Sequence, residues 1–490
     1  METHDLFVTQ EQLERYRQRG YTNADILPKT KEKRNMNLMN YFTLWMGSIH
    51  NISNYVAVGG FLALGMKPMH VVLAIILAGV ITALVMAFNG RAGSKYGIPF
   101  AMHLRSVFGD IGSKLPGALR GVVAAIAWFG VQNYFGSQAL LVLIIRFFPA
   151  FAGIAPGFNF LGLTAPEFIC FALFFIINVL IGLGGGGVLN RFTAILNPLI
   201  YLVFGGMMIW GIQQAGFGAI FSYQATEVSS TTTFMGYLII IAAILSTWAA
   251  PAVSVSDFTQ NAESTRDQSI GQMLSMLVGY IIFAFAAVAV LNGASVAGIN
   301  HDGQVLNIVN SWDSNIAVFV ASFVLLMTTV STNATGNIIP AAYQLTALFP
   351  SVMNYRRGVL AASLVSFIIL PWRFANSAGG FITFLNLIGS LLGPVAGVMM
   401  IHFYLIKNQI IDLNALYFAK EDASLSQYSG INTNAYIATF AGLIVSIIGQ
   451  FIPSLAWLSE IGWIAGFAIA AAVYYVLTLL GKDKFSTRVK

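Results

Sequence analysis

The chain has 490 residues, 57% of them hydrophobic and only 9% charged, with a mean hydropathy of +0.75. A soluble domain carries about 25% charged residues, so the composition excludes a soluble enzyme, a nucleic-acid binder and a disordered scaffold, and leaves a membrane protein with many spans. The net charge of +6 then reads as loop charge that sets orientation, not as a surface for acidic partners.

Residues 1–37 are polar and lack the apolar core and cleavage site of a targeting signal. They read as a cytoplasmic tail in which "THDLFVTQEQLERYRQRG" forms a short surface helix. Continuous apolar runs follow, long enough for membrane helices of about 20 residues and unlike the alternating strands of a barrel. Twelve spans are expected, near 38–66, 69–90, 121–147, 166–189, 192–214, 232–257, 271–297, 314–345, 358–372, 376–406, 435–453 and 457–481. With the N-terminus inside, only Lys67, Arg146 and Arg373 of the 25 Lys and Arg fall outside. This inner bias places both termini in the cytoplasm of a multi-pass protein of the cell membrane. The expected organisation is a tail (1–37), five spans (38–214), five more (232–406), a last pair (435–481) and a C-terminal tail (482–490). The single Cys170 sits in an apolar run, so no internal disulfide and no metal cluster are expected.

Several spans carry polar residues at bilayer depth, where they are costly unless they face a cavity or one another. Span one reads "LWMGSIHNISNYVAVGG" and span six "LSTWAAPAVSVSDF", with Pro251 in its middle. Span eight places seven hydroxyl or amide side chains between Thr328 and Asn337. Spans one and six are interrupted and five apart, the pattern of two inverted repeats with a site at the midplane between them.

The residues at these interruptions suit a flat polar ring. Trp128 and Gln132 share one face of span three, and Asn333 and Asn337 one face of span eight. Trp248 and Asn51 sit at the breaks of spans six and one. A planar heterocycle wants aromatic partners on its faces and carboxamides, which both donate and accept, at its edges. Each residue alone fits a packing role; their convergence on broken helices favours a site. Thr328, Ser331 and Thr332 share a face of span eight and offer oxygens to a hard cation such as Na⁺, with further carbonyls from Gly47–His50. The competing reading is that these hydroxyls bond back to their own helix.

The chain resembles the nucleobase–cation symport family one, permeases for cytosine, uracil, allantoin and hydantoin. The resemblance runs from about Asn35 to the last span and rests on "LWMGSIHNI", "WFGVQ", "VSTNATGNIIPAAY", "PWRFANSAGGFITFLNLIGSLLGPVAG" and "SDF". It implies the leucine-transporter-type fold of an all-α integral membrane protein, with ten helices in two inverted repeats plus two more. It implies a ring sandwiched by Trp128 and Trp248, with side-chain contacts from Asn51, Gln132 and Asn337 and a backbone contact at Thr247. It implies Na⁺ ligands from the carbonyls of Gly47, His50 and Thr328 and the hydroxyls of Ser331 and Thr332, and a gate at Leu385. Three positions depart from the family's hydantoin permease. Asn51 stands for a glutamine, Thr247 for a glycine and His402 for an aspartate.

The expected function is cation-coupled import of a neutral heterocycle by alternating access. Allantoin is favoured because of "GSIHNI"; uracil, cytosine, hydantoin and purines fit the same chemistry. Na⁺ is the expected ion, with H⁺ the alternative, and no cofactor is expected. The partners are the small-molecule ring and the bilayer, without nucleic acid, and the protein is expected to act as a monomer. The alternatives are an amino-acid transporter of the same architecture and a channel. An enzyme lacks its acid–base or metal set, and "GLGGGG" (182–187) has no preceding strand that would make it a dinucleotide site. Asp257 reads as a gate or as a structural ion-pair partner.

Overall fold

A computed structural model describes residues 5–184, 186–223, 231–349, 351–481 and 484–486. Most of expected tail 482–490, and Gly185 of the glycine run, lie outside them. The chain is helical; the described strands are a two-residue pair, Asn159–Phe160 with Leu163–Thr164. Nine helices among the described residues are long and apolar enough to cross a membrane. They fall at expected spans two, three, four, five, seven, eight, ten, eleven and twelve.

Spans one and six are each broken. Leu38–Ile49 and Ile52–Leu62 meet at His50 and Asn51, both extended. Thr233–Thr247 and Ala249–Val253 meet at Trp248. The second break comes three residues before Pro251, because a proline ring clashes with the carbonyl four residues earlier, here that of Thr247. Span nine is the 14-residue helix Tyr355–Ile368. It ends short of its expected limit, where Leu370 turns left-handed (φ 52°) ahead of Pro371. Span three starts earlier than expected, at Lys114, and runs through a π-helical stretch, Leu119–Ala124. A second such stretch, Ala334–Ile338, interrupts span eight. Inserted residues of this kind often mark functional positions.

Small residues set the approach of the long helices, as they commonly do in membranes. A Cβ at Gly79 would stand 2.6 Å from the ring of Tyr280, so glycine lets that tyrosine seat against Pro68–Tyr96.

The tail helix forms at Gln10–Gln18, with Thr9 as its capping residue. It is docked instead of lying free on the surface. Tyr16 is buried and stacks on Tyr417 at 4.6 Å. Arg34, 4% exposed, donates to the carbonyls of Ser94 (2.8 Å), Leu6 (2.7 Å) and Lys29 (3.2 Å). Burial lowers its guanidinium pKa to about 10. Gly97, left-handed at φ 68°, ends the Pro68–Tyr96 helix beneath it; a Cβ there would sit 2.5 Å from the guanidinium. The tail thus straps the start of span seven and the loop after span ten to the end of span two.

Candidate binding cavity

The broken ends of spans one and six face spans three and eight across a cavity. Asn51, Trp128, Gln132, Trp248 and Asn337 all line it, as does Thr247. Five residues expected from four different spans to share one site therefore share one wall.

Two of the aromatic walls are held edge-on by other rings. Trp128 meets Phe384 at 5.0 Å and Phe381 at 5.9 Å. Trp248 meets Trp45 at 5.6 Å and donates its indole N–H to Tyr280 Oη at 2.5 Å. The Trp128 N–H is buried and has no partner among the described residues.

The amides are used unequally. Gln132 Nε2 donates to Ser53 Oγ (3.2 Å), while its Oε1 is buried without a partner. Asn337 Nδ2 donates to Asn333 Oδ1 (2.8 Å), whose own amide reaches Phe129 O and Asn178 Oδ1 (both 3.3 Å). Asn51 is mostly spent on the break itself. Its Oδ1 accepts from the Asn54 N–H (3.0 Å) and Ser53 Oγ (2.6 Å), and its Nδ2 donates to Ser48 O (2.9 Å). It is the N-cap of Ile52–Leu62, so this half-helix terminus is already occupied.

The expected cation ligands lie mostly behind this wall. The helices Leu38–Ile49 and Asn315–Asn333, which carry or end at all five, are in contact. Around the first break, the carbonyls of Met46, Ser48 and Ile49 accept from Tyr201 Oη (3.0 Å), Asn51 Nδ2 and Asn54 Nδ2 (2.7 Å). Those of Gly47 and His50 accept no side-chain bond among the described residues. Thr328 turns its hydroxyl to Leu325 O (2.8 Å), which leaves its carbonyl as the group it offers. Ser331 is buried. Thr332 lines the cavity itself. The His50 ring is turned away into an aromatic cage of Tyr201, Phe204 and Phe283, at 4.8 to 5.5 Å.

Leu385 is fully buried and is not on the cavity wall; Phe381 and Phe384 are the span-ten side chains that reach Trp128. Asp257 accepts from the Phe100 N–H (2.8 Å), and His402 Nδ1 lies 2.7 Å from Tyr474 Oη, so both are engaged in holding helices to one another. Arg120, Trp45, Ser53 and Tyr280 were not anticipated. Hydropathy hides Arg120: the span expected from 121 leaves it in a loop, whereas the helix begins at Lys114.

A membrane-spanning bundle enclosing an aromatic and carboxamide cavity at two helix breaks defines a permease. The chain belongs to the family of permeases for cytosine/purines, uracil, thiamine and allantoin, whose model matches residues 28–469. It is 48% identical to the "Putative allantoin permease" of Escherichia coli over 94% of this chain and 95% of that one. It is 35% identical to the "Allantoin permease" of Bacillus subtilis over 93% of each. These relatives are permeases, not enzymes. Among solved structures, it resembles the inward-facing conformation of Mhp1 with a TM-score of 0.75 at 22% identity, over 94% of each chain. It also resembles Mhp1 closed with bromovinylhydantoin bound, with a TM-score of 0.72 over 95% of this chain and 98% of that one. The fold is that of Mhp1, a nucleobase-cation-symport-1 family transporter.

Proposed function

We propose that this permease is a secondary active symporter that imports allantoin by alternating access, driven by Na⁺. The observation that carries the reading is the cavity in which Trp128 and Trp248 offer ring faces and in which Gln132, whose amide oxygen has no partner among the described residues, and Asn337 offer amide oxygens. A neutral ureide ring supplies N–H groups for those oxygens and carbonyls for the indole N–H of Trp128. The names of the two bacterial relatives favour allantoin, and the hydantoin bound to Mhp1 is a ring of the same chemistry. Na⁺ is held by the carbonyls of Gly47, His50 and Thr328 with the hydroxyls of Ser331 and Thr332, and no cofactor takes part. The breaks at residues 50 and 248, five spans apart, support two inverted repeats of five helices plus two more, twelve in all, in a monomer with both termini cytoplasmic.

The test is uptake of radiolabelled allantoin into proteoliposomes, with hydantoin, uracil, cytosine and a purine as competitors, under an inward Na⁺ gradient, an inward H⁺ gradient or neither. Saturable uphill uptake that requires Na⁺ and is competed best by unlabelled allantoin is the expected result. Uptake driven by H⁺ alone refutes the ion, and preferential competition by another ring refutes the substrate. Flux that neither saturates nor accumulates refutes the symporter.

A further inference from the structure

Arg120 is the only charged side chain on the cavity wall among the described residues, and it is 2% exposed. Its guanidinium is held at two points. Nε donates to Ser254 Oγ (2.9 Å) and Nη2 to the Gly336 carbonyl (3.3 Å). Nη1 is buried and has no partner among the described residues. The nearby Asp257 attracts the guanidinium through space, but its Oδ1 accepts the Phe100 N–H.

A guanidinium carries five N–H donors in a fixed fork. One each of the Nε and Nη2 donors is spent on a neutral oxygen, and the Nη1 pair is buried without a partner among the described residues. A buried charged donor without an acceptor is costly, so this arrangement calls for an oxygen that arrives with the ligand. Both anchors adjoin the ring site: Ser254 follows the Trp248 break, and Gly336 precedes Asn337 within the π-helical stretch. Arg120 itself lies eight residues before Trp128, about 12 Å along the helix axis. The guanidinium therefore stands to one side of the ring faces instead of between them. Arg120 lines the same cavity as Trp128 and Trp248, so a bare flat ring between the indoles would leave Nη1 unmet, whereas a carbonyl-bearing arm on that ring would extend toward it.

We infer that Arg120 is a specificity-determining residue that donates through Nη1 to the carbonyl of a ureido arm, selecting arm-bearing ureides over the bare ring. This rests on the reading of the cavity as the ureide site. No bond is made or broken, and the arm need not be charged.

The test compares equilibrium binding of allantoin, which carries the ureido arm, with that of hydantoin, the same ring without it, in wild type, Arg120→Lys and Arg120→Gln. Thermal unfolding is measured alongside to select folded protein, and Lys is the conservative variant should Gln not fold. The expected result is an allantoin Kd raised about 10- to 150-fold, as for loss of one charged hydrogen bond, with a hydantoin Kd changed less than about threefold. An equal loss for both ligands shows that Arg120 only holds the spans together and overturns the inference, as does no change for either. Wild-type protein that binds neither ligand refutes the ureide cavity itself, a failure visible before any variant is made.

Discussion

Replacing Trp128 by alanine removes one face of the proposed ring sandwich. The indole is 5% exposed and is held edge-on by Phe381 and Phe384, so its face is fixed before any ligand arrives. Stacking of a planar base on an aromatic side chain is worth about 1–3 kcal/mol by alanine substitution, which corresponds to about a 5- to 150-fold rise in Kd. The same change also opens a void, and burying a large aromatic contributes about 3–5 kcal/mol to stability. Affinity and folding must therefore be read separately. The assay is radioligand binding by allantoin in detergent, beside thermal unfolding without ligand. Trp128→Phe keeps a smaller face and is expected to fall between wild type and Trp128→Ala. A folded Trp128→Ala protein with wild-type affinity refutes the sandwich, whatever its loss of stability.

Three further outcomes follow from the same geometry. Tyr280→Phe strands the Trp248 N–H, a loss of about 1–3 kcal/mol for a buried donor; thermal unfolding should fall, and allantoin affinity should drop several-fold as the indole loses its orientation. Unchanged unfolding and affinity would show that the Trp45 contact alone fixes Trp248. Arg34→Met leaves the carbonyls of Leu6, Lys29 and Ser94 unpaired, so limited proteolysis within residues 5–30 should accelerate at least tenfold, given roughly 1.5–3 kcal/mol per charged hydrogen bond; an unchanged cleavage rate would show that Tyr16 and its neighbours hold the tail unaided. Gly97→Ala forces a left-handed backbone at about 1–2 kcal/mol and presses on the same guanidinium, and should expose the tail in the same assay; a cleavage rate equal to wild type would refute the strain argument.

The breaks in spans one and six were legible because their causes are local: proline, glycine and side chains that compete for backbone groups. The clustering of Trp128, Gln132, Trp248, Asn51 and Asn337 was legible because polar side chains at bilayer depth must find one another or a cavity. What stayed hidden depends on partners distant in sequence. Nothing local says that Tyr280, 32 residues on, takes the Trp248 N–H in place of a ligand; the Asn51 amide, by contrast, is consumed by its own neighbours Ser48, Ser53 and Asn54, as an N-cap at the break. The tail helix reads as a surface element because its pattern is short and mostly polar; Tyr16 and Arg34 bury only once the Tyr417 loop and the end of span two come together. Arg120 is hidden for a different reason. Hydropathy ends a span at its first charge, whereas this helix carries that charge inward to face the cavity.

Thr332 joins the two halves of the proposed mechanism. It lines the ring cavity, and it shares a helical face with Thr328, in the set proposed to hold Na⁺. A cation held by Thr332 and by the carbonyls beside Asn51 fixes the first break, which in turn sets Ser53, the partner of Gln132. Under linkage, whatever factor Na⁺ adds to allantoin affinity, allantoin must add to Na⁺ affinity. Thr332→Ala is therefore expected to reduce the Na⁺ dependence of allantoin binding, with coupling falling from the usual 5- to 150-fold range toward unity, while binding in Na⁺-free buffer changes little. The measurement is allantoin Kd across a Na⁺ series at constant ionic strength. Coupling that survives intact in Thr332→Ala places the cation elsewhere, and loss of binding in Na⁺-free buffer makes Thr332 a ring contact instead of a cation ligand.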